Sequence, residues 1–285
     1  GFGGGILANS YLNQDAVTQT TQEAQNAQND DSSSNQAQAT LPESVARTDS
    51  NALSVSEVAA KVADAVVEIS TESVTTSNYM QQYVTEGAGS GVIVSSDGTI
   101  LTCNHVIKGA NKITVRLRSG ESYDATVVAA DDASDVAILK IEATGLTAAP
   151  MGDSDALSVG EQTVVIGNPL GALGGSITTG ILSASEREIT INNEKMTLLQ
   201  TDAAINPGNS GGGMFDAYGN LIGIVVAKSS GTTIEGLGFA IPINTVKDIY
   251  EQLMDNGYVT GRAVLGVTMT EQQAVSLGSS SSRSY

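Results

Sequence analysis

Tryptophan is absent from this 285-residue chain and aromatic residues make up only 4% of it. A core must therefore be filled by Val, Ile, Leu and Ala, which favours strands over aromatic clusters. Cysteine occurs once, at Cys103, excluding an intrachain disulfide and a thiolate cluster for a structural metal. Basic residues are scarce, 13 against 31 acidic, and the net charge of −18 argues against nucleic acid or an anionic membrane surface as a partner. No run reaches the roughly 20 apolar residues that span a bilayer. The length leaves room for one large or two small domains.

What is present is ordered along the chain. Residues 1–51 are rich in Gln, Asn, Ser, Thr and Asp and cannot bury enough surface to offset ordering entropy, which predicts a flexible polar stalk. Its first residues, GFGGGIL, fit either the outer end of a membrane anchor lying upstream or a plain glycine-rich leader. Residues 52–260 form the predicted folded domain. Val55, Val58, Ala59 and Val62 recur at helical spacing, and short β-branched runs then alternate with turn signals. Asp97-Gly98 between two such runs is a hairpin signal. About twelve short strands at this spacing fit an all-β fold of two packed six-stranded antiparallel barrels. Asn244 is expected to cap a last amphipathic helix reaching about Asn256, with Val246, Ile249, Tyr250 and Leu253 on one face. Residues 261–285 carry one strand-like run, AVLGVTM, and a Ser-rich tail.

The chemistry concentrates in Asn206-Pro207-Gly208-Asn209-Ser210-Gly211-Gly212. Pro207 presets φ and Gly208 permits φ > 0, so the segment can make a tight turn whose N–H groups form an anion-binding nest beside Ser210. An oxyanion hole requires such donors, although the same residue types also make ordinary turns. A serine hydroxyl needs a base, and imidazole, with a free pKa of about 6.5, suits that role. The chain has one histidine, His105, at the exit of a hairpin strand. The base in turn needs a carboxylate on its other nitrogen. Asp135 immediately precedes the apolar run Val136-Ala137-Ile138-Leu139, whereas Asp131 and Asp132 read as solvated turn charges. Gly208-Asn209-Ser210-Gly211-Gly212 also satisfies the nucleophile-elbow pattern of α/β-hydrolases, but that fold needs a His after the Ser, and none follows.

Three segments, TILTCNHVI, DDASDVAILKI and TDAAINPGNSGGGMFDAYGNLIGI, resemble in order and wording the trypsin-like HtrA (Deg) serine proteases. The likeness runs from about Ser54 to Tyr258, roughly three quarters of the chain. It implies a serine endopeptidase with His105, Asp135 and Ser210 as catalytic triad and an oxyanion hole at Gly208, Asn209 and Ser210. No metal or other cofactor is implied. The family pattern commonly has a small or polar residue where Cys103 stands, and an inert buried thiol is the expected reading there. Only the opening strand of the family's C-terminal PDZ domain, Val264 to Met269, is recognisable.

In trypsin-like folds the residue six before the nucleophile, here Ala204, lies at the base of the primary specificity pocket. The strand Ile224 to Lys228 would wall it, with Val226, Ala227 and Lys228 as substrate contacts. Without a counter-charge the pocket is expected to take small or medium apolar residues, which unfolded proteins expose. The resemblance thus implies extracytoplasmic quality control on unfolded polypeptides by a homotrimer, with Tyr79 and Tyr83, in a polar loop, as candidate contacts. A peptide-holding chaperone on the same fold is the second functional class.

Overall fold

The runs AVVEIS, TILTC and VAILKI are apolar at most positions, and strand pleating sends alternate side chains to opposite faces. Both faces are buried here. Val67, Ile69, Ile100, Ala137 and Leu139 fill the interior of a first barrel, while their neighbours Val66, Leu101, Val136 and Ile138 point to a second cluster that the two barrels share. The same rule holds further on. Val165, Val225 and Ala240 fill the second barrel, while Val164, Ile166, Ile224, Val226 and Ile241 join the shared cluster. Burying each such side chain contributes about 1.5–3 kcal/mol, so the seam between the barrels is as firmly held as either interior.

A computed structural model of the chain describes residues 51–76, 82–168, 175–191, 194–227 and 237–260. Its first closed barrel contains β1 (Val66–Thr76), β2 (Gln82–Ile93), β3 (Thr99–Cys103), β4 (Lys112–Arg116), β5 (Ser122–Asp131) and β6 (Val136–Ile141), paired in the order β1-β2-β3-β6-β5-β4. The second contains β7 (Gln162–Gly167), β8 (Ser176–Ile191), β9 (Glu194–Thr201), β10 (Gly213–Phe215), β11 (Leu221–Val226) and β12 (Gly238–Pro242), paired as β10-β11-β12-β9-β8-β7. The expected pair of six-stranded antiparallel barrels is thereby found. The inter-barrel connection is laced to both sides: Ala149 N–H donates to Ile93 O (2.9 Å) and Gly152 N–H to Leu221 O (2.8 Å).

The helices close the ends. Ser54 caps α1 (Val55–Val62) in a reciprocal box with Glu57, and the helix buries Val58 and Val62. The single turn α2 (Asn104–Ile107) follows β3 directly. The last helix, α3 (Ile243–Asn256), buries Val246, Ile249 and Leu253 and ends at Gly257 in the left-handed conformation (φ 77°).

Three expectations need correction. Asn244 does not cap α3; the helix starts two residues earlier than such a cap requires, with Pro242 at the cap position, and Asn244 Nδ2 donates to Asp153 (2.6 Å) instead. The runs GSITTGILSASE and REITINNE, two of the about twelve expected strands, are one 16-residue strand, β8, bent by register shifts around Ala184. Tyr83 lies in β2 opposite Thr75 and not in a loop, because Thr and Val pairs such as Val74↔Val84 extend the hairpin without an apolar face. Residues 1–50, Tyr79 and residues 261–285 lie outside the described residues.

Candidate active site

At the end of β3 the chain turns directly into α2, so His105 leaves the sheet at a corner where its ring is free to face the seam. Asp135 holds that corner. Its carbonyl accepts from Asn104 N–H (2.9 Å), and its Oδ1 accepts from His105 N–H (2.8 Å). Asp135 is the sole non-glycine residue at positive φ (56°) among the described residues, a left-handed conformation that a short polar side chain tolerates better than most. The backbone is thus bent at the point where the carboxylate must face back over α2.

The second carboxylate oxygen, Oδ2, lies 2.6 Å from His105 Nδ1. A carboxylate only accepts, so Nδ1–H is the donor and the Nε2 lone pair is left for Ser210, whose Oγ is 2.9 Å away. The side chains of His105 and Asp135 are 21% and 11% exposed, so the pair opens to solvent mainly at the imidazole. Asp132 is drawn elsewhere: a hydrogen bond from Lys108 Nζ (2.9 Å), with Asn104 also donating, holds its carboxyl below the usual range. Asp131 accepts from Ser134 N–H (2.8 Å). Asp132 is an exposed turn charge, as expected, its side chain 67% open to solvent, while Asp131 is half-buried at the end of β5.

Ser210 comes from the other barrel, in the turn between β9 and β10. Gly208 has φ 99° and Gly211 φ 80°, as the turn's sequence requires. Asn209 N–H donates to Asn206 O (3.0 Å), Gly211 N–H to Val225 O (2.8 Å) and Gly212 N–H to Asn209 O (2.9 Å). The N–H groups of Gly208 and Ser210, like that of Asn206, are without a partner among the described residues. Asn209 N–H is committed to Asn206 and therefore does not join them in a donor pair, contrary to its inclusion in the expected hole.

The expected pocket residues differ in burial. Ala204 is exposed, and its carbonyl accepts from Thr178 Oγ1 (2.8 Å). Val226 is buried in the shared cluster and pairs with Phe239. Ala227 is half-buried, and its N–H donates to Ser210 Oγ (3.0 Å), so this backbone touches the nucleophile candidate itself. Lys228 lies outside the described residues. Sequence reasoning overlooked Ile205, half-buried against the second-barrel core, and the fully buried Ser90, whose only signal was a serine between two strand glycines.

Cys103 is buried, and its Sγ–H donates to Val225 O (3.3 Å) across the seam. Donor atoms of Cys103, His105 and Asp135 lie within 4.8 Å of one another. The ring nitrogen and the carboxylate are already engaged with each other and the thiol with a carbonyl, so the cluster is a hydrogen-bonded array and not a fit for a metal ion.

Residues 89–224 match the family model described as a trypsin-like peptidase domain. Among curated relatives, the serine protease Do-like HtrB of Bacillus subtilis (strain 168) is 46% identical over 195 residues, covering 65% of this chain and 42% of the relative. The periplasmic pH-dependent serine endoprotease DegQ of Escherichia coli (strain K12) is 45% identical over 195 residues, covering 66% and 42%. The chain therefore spans about two fifths of the length of the curated relatives it matches. Among solved structures, an HtrA-type protease, AlgW with decapeptide, superposes with a TM-score of 0.63 at 36% identity, covering 72% of this chain and 69% of the other.

Proposed function

Because the chain belongs to the HtrA (Deg) family of trypsin-like serine proteases, we propose that it is a serine endopeptidase whose nucleophile, base and orienting acid are Ser210, His105 and Asp135. The observation that carries this reading is the unbroken line of contacts from Ser210 Oγ to His105 Nε2 (2.9 Å) and from Nδ1 to Asp135 Oδ2 (2.6 Å). Ser210 Oγ attacks the scissile carbonyl as its proton passes to Nε2. The imidazolium so formed is stabilised by Asp135, and it then protonates the leaving amine. Negative charge on the tetrahedral oxygen falls to the free N–H groups of Gly208 and Ser210. Water, activated by the same His105, hydrolyses the acyl-enzyme.

The substrates are taken to be unfolded or damaged polypeptides. Ala204, with half-buried Ile205 beside it, presents apolar surface without a counter-charge, which favours small or medium apolar residues before the cleaved bond. Val226, Ala227 and, from the resemblance alone, Lys228 are the residues proposed for the wall. An extracytoplasmic location accords with the periplasmic names of relatives such as DegQ; assembly as a trimer, with Tyr83 (55% exposed) as a candidate contact, belongs to the same reading. Among the described residues no helix is long and apolar enough to cross a membrane.

The test is incubation with unfolded casein alongside labelling by a fluorophosphonate. Fragments, and a label mapped to Ser210 that is lost in Ser210→Ala, are the expected result. Casein kept soluble but uncut, with no label on Ser210, would overturn the enzymatic reading in favour of a holding chaperone.

A further inference from the structure

The two N–H groups proposed to bind the oxyanion belong to the Pro207–Gly208 and Asn209–Ser210 peptides, and the Gly208–Asn209 peptide that joins them sets their relative orientation. Its carbonyl now points away from the nest, toward β2 of the first barrel, where Ser90 Oγ–H donates to Gly208 O (2.6 Å). Ser90 does more than this at the same place. Its backbone N–H donates to Ser210 O (2.8 Å), and its hydroxyl oxygen accepts from Asn168 N–H (2.8 Å). Its own carbonyl accepts from Thr102 Oγ1 (2.7 Å). The residue is fully buried, so water cannot replace any of these partners.

Glycine at 208 makes the opposite peptide orientation sterically accessible. Rotating that peptide would break the bonds to Ser90 and from Asn209 N–H to Asn206, and would swing the Gly208 carbonyl toward the anion position. The turn and the end of β7 beside it hold polar atoms that another arrangement could use: Asn209 Nδ2 and Asn168 Oδ1 are buried without a hydrogen-bond partner among the described residues. Within the described residues, Ser90 is the side chain that holds the Gly208 carbonyl outward from the nest. Gly211 adds a steric boundary on the same side, since a Cβ there would lie 2.2 Å from Ser90 O.

We infer that Ser90 is a positioning residue for catalysis: from the first barrel it holds the Gly208–Asn209 peptide of the second barrel in the orientation that leaves two N–H donors for the oxyanion. The inference rests on the proteolytic reading above. It predicts that Ser90→Ala lowers kcat on fluorescein-labelled casein by about 10- to 100-fold, the range one buried hydrogen bond supports, while KM stays within about twofold. Affinity for a valine-terminated peptide boronate, which must place a tetrahedral oxygen in the nest, should fall by the same factor as kcat/KM. Ser90→Cys, a poorer donor of similar volume, should fall between the two proteins, and it supplies the measurement if Ser90→Ala does not fold. A kcat within twofold of wild type, or a fall in kcat with boronate affinity unchanged, overturns the inference. A wild-type protein that neither cleaves casein nor binds the boronate removes the proteolytic reading and the inference with it; an active wild type with an unaffected Ser90 variant removes the inference alone.

Discussion

The two barrels share a topology but hold their halves of the site by different means. The first fixes His105 and Asp135 with directed hydrogen bonds around a one-turn corner, including one residue bent into the left-handed region. The second adds to its hydrogen bonds, such as Gly211 N–H to Val225 O (2.8 Å), close backbone approach at glycines where a Cβ would collide with the other barrel or with its own strands: 2.2 Å from Ser90 O at Gly211 and 2.5 Å from Ile166 O at Gly212. Directed bonds tolerate some movement of the surrounding packing, whereas steric contact does not. The second half should therefore be the more brittle, and the site works only while the seam is closed.

The largest expected effect tests whether the two halves act as one unit. His105→Ala in the first barrel and Ser210→Ala in the second should each lower kcat on casein by about 10⁴ to 10⁶. The double variant should be no worse than either alone; multiplied losses would mean that the halves act independently.

A smaller effect separates steric from directed positioning. Gly211→Ala places a methyl group against Ser90 O and Thr102 Oγ1 at φ 80°, and should cost about 2–5 kcal/mol in chemical denaturation. In the first barrel Gly109 has a similar φ, 76°, with nothing within 4 Å, so Gly109→Ala should cost only about 1–2 kcal/mol. Equal losses would show that backbone strain alone, and not the packing of the second barrel, sets the difference.

Specificity should also belong to the second barrel. Ala204→Asp is expected to reduce cleavage after Val or Leu by about tenfold in a peptide library, since an apolar side chain would then desolvate a carboxylate. The matched change Val128→Asp, at a half-exposed position on β5, should leave the profile unchanged. An unaltered preference in a folded Ala204→Asp protein would move the pocket toward Ile205.

The smallest effect concerns acid stability of the first barrel. Hydrogen bonding to Lys140 Nζ, aided by Ser95 and Thr99, holds the Asp97 carboxyl well below its usual range. A depressed folded-state pKa contributes stability above the unfolded value, about 3.9, and that contribution is lost as pH falls below it. The gap in Tm between wild type and Asp97→Asn should therefore be widest at neutral pH and should close below about pH 4. A gap that widened on acidification would reverse the assignment.

Much of this arrangement was legible from residues alone, for identifiable reasons. Asp97-Gly98 marked its hairpin, and Gly98 indeed turns at φ 95°. His105, Asp135 and Ser210 could be brought together because their chemical roles are interdependent and each stood beside a recognisable turn or strand end. The long hairpin of β1 and β2 was less visible because its outer half is Ser, Thr and Glu with no buried face to give a period. Strand β8 looked like two strands because its bend falls at Ala184, where a register shift mimics a turn. Ser90 and Ala227 were hidden for another reason. Ser90 acts through its hydroxyl on a carbonyl 118 residues away and Ala227 through its N–H on a hydroxyl 17 residues away, which no local pattern encodes.

The thiol of Cys103 has a use beyond packing. It is the chain's sole cysteine, fully buried, and it donates to Val225 across the seam. A thiol reagent can reach it only when the barrels part or the chain opens locally, so the modification rate under native conditions measures the free energy of that opening at a single defined position. The molecule thus carries an internal clock for its own breathing. Read against denaturant, that rate would separate a hinge-like parting of the two barrels, which exposes little surface, from global unfolding, which exposes far more.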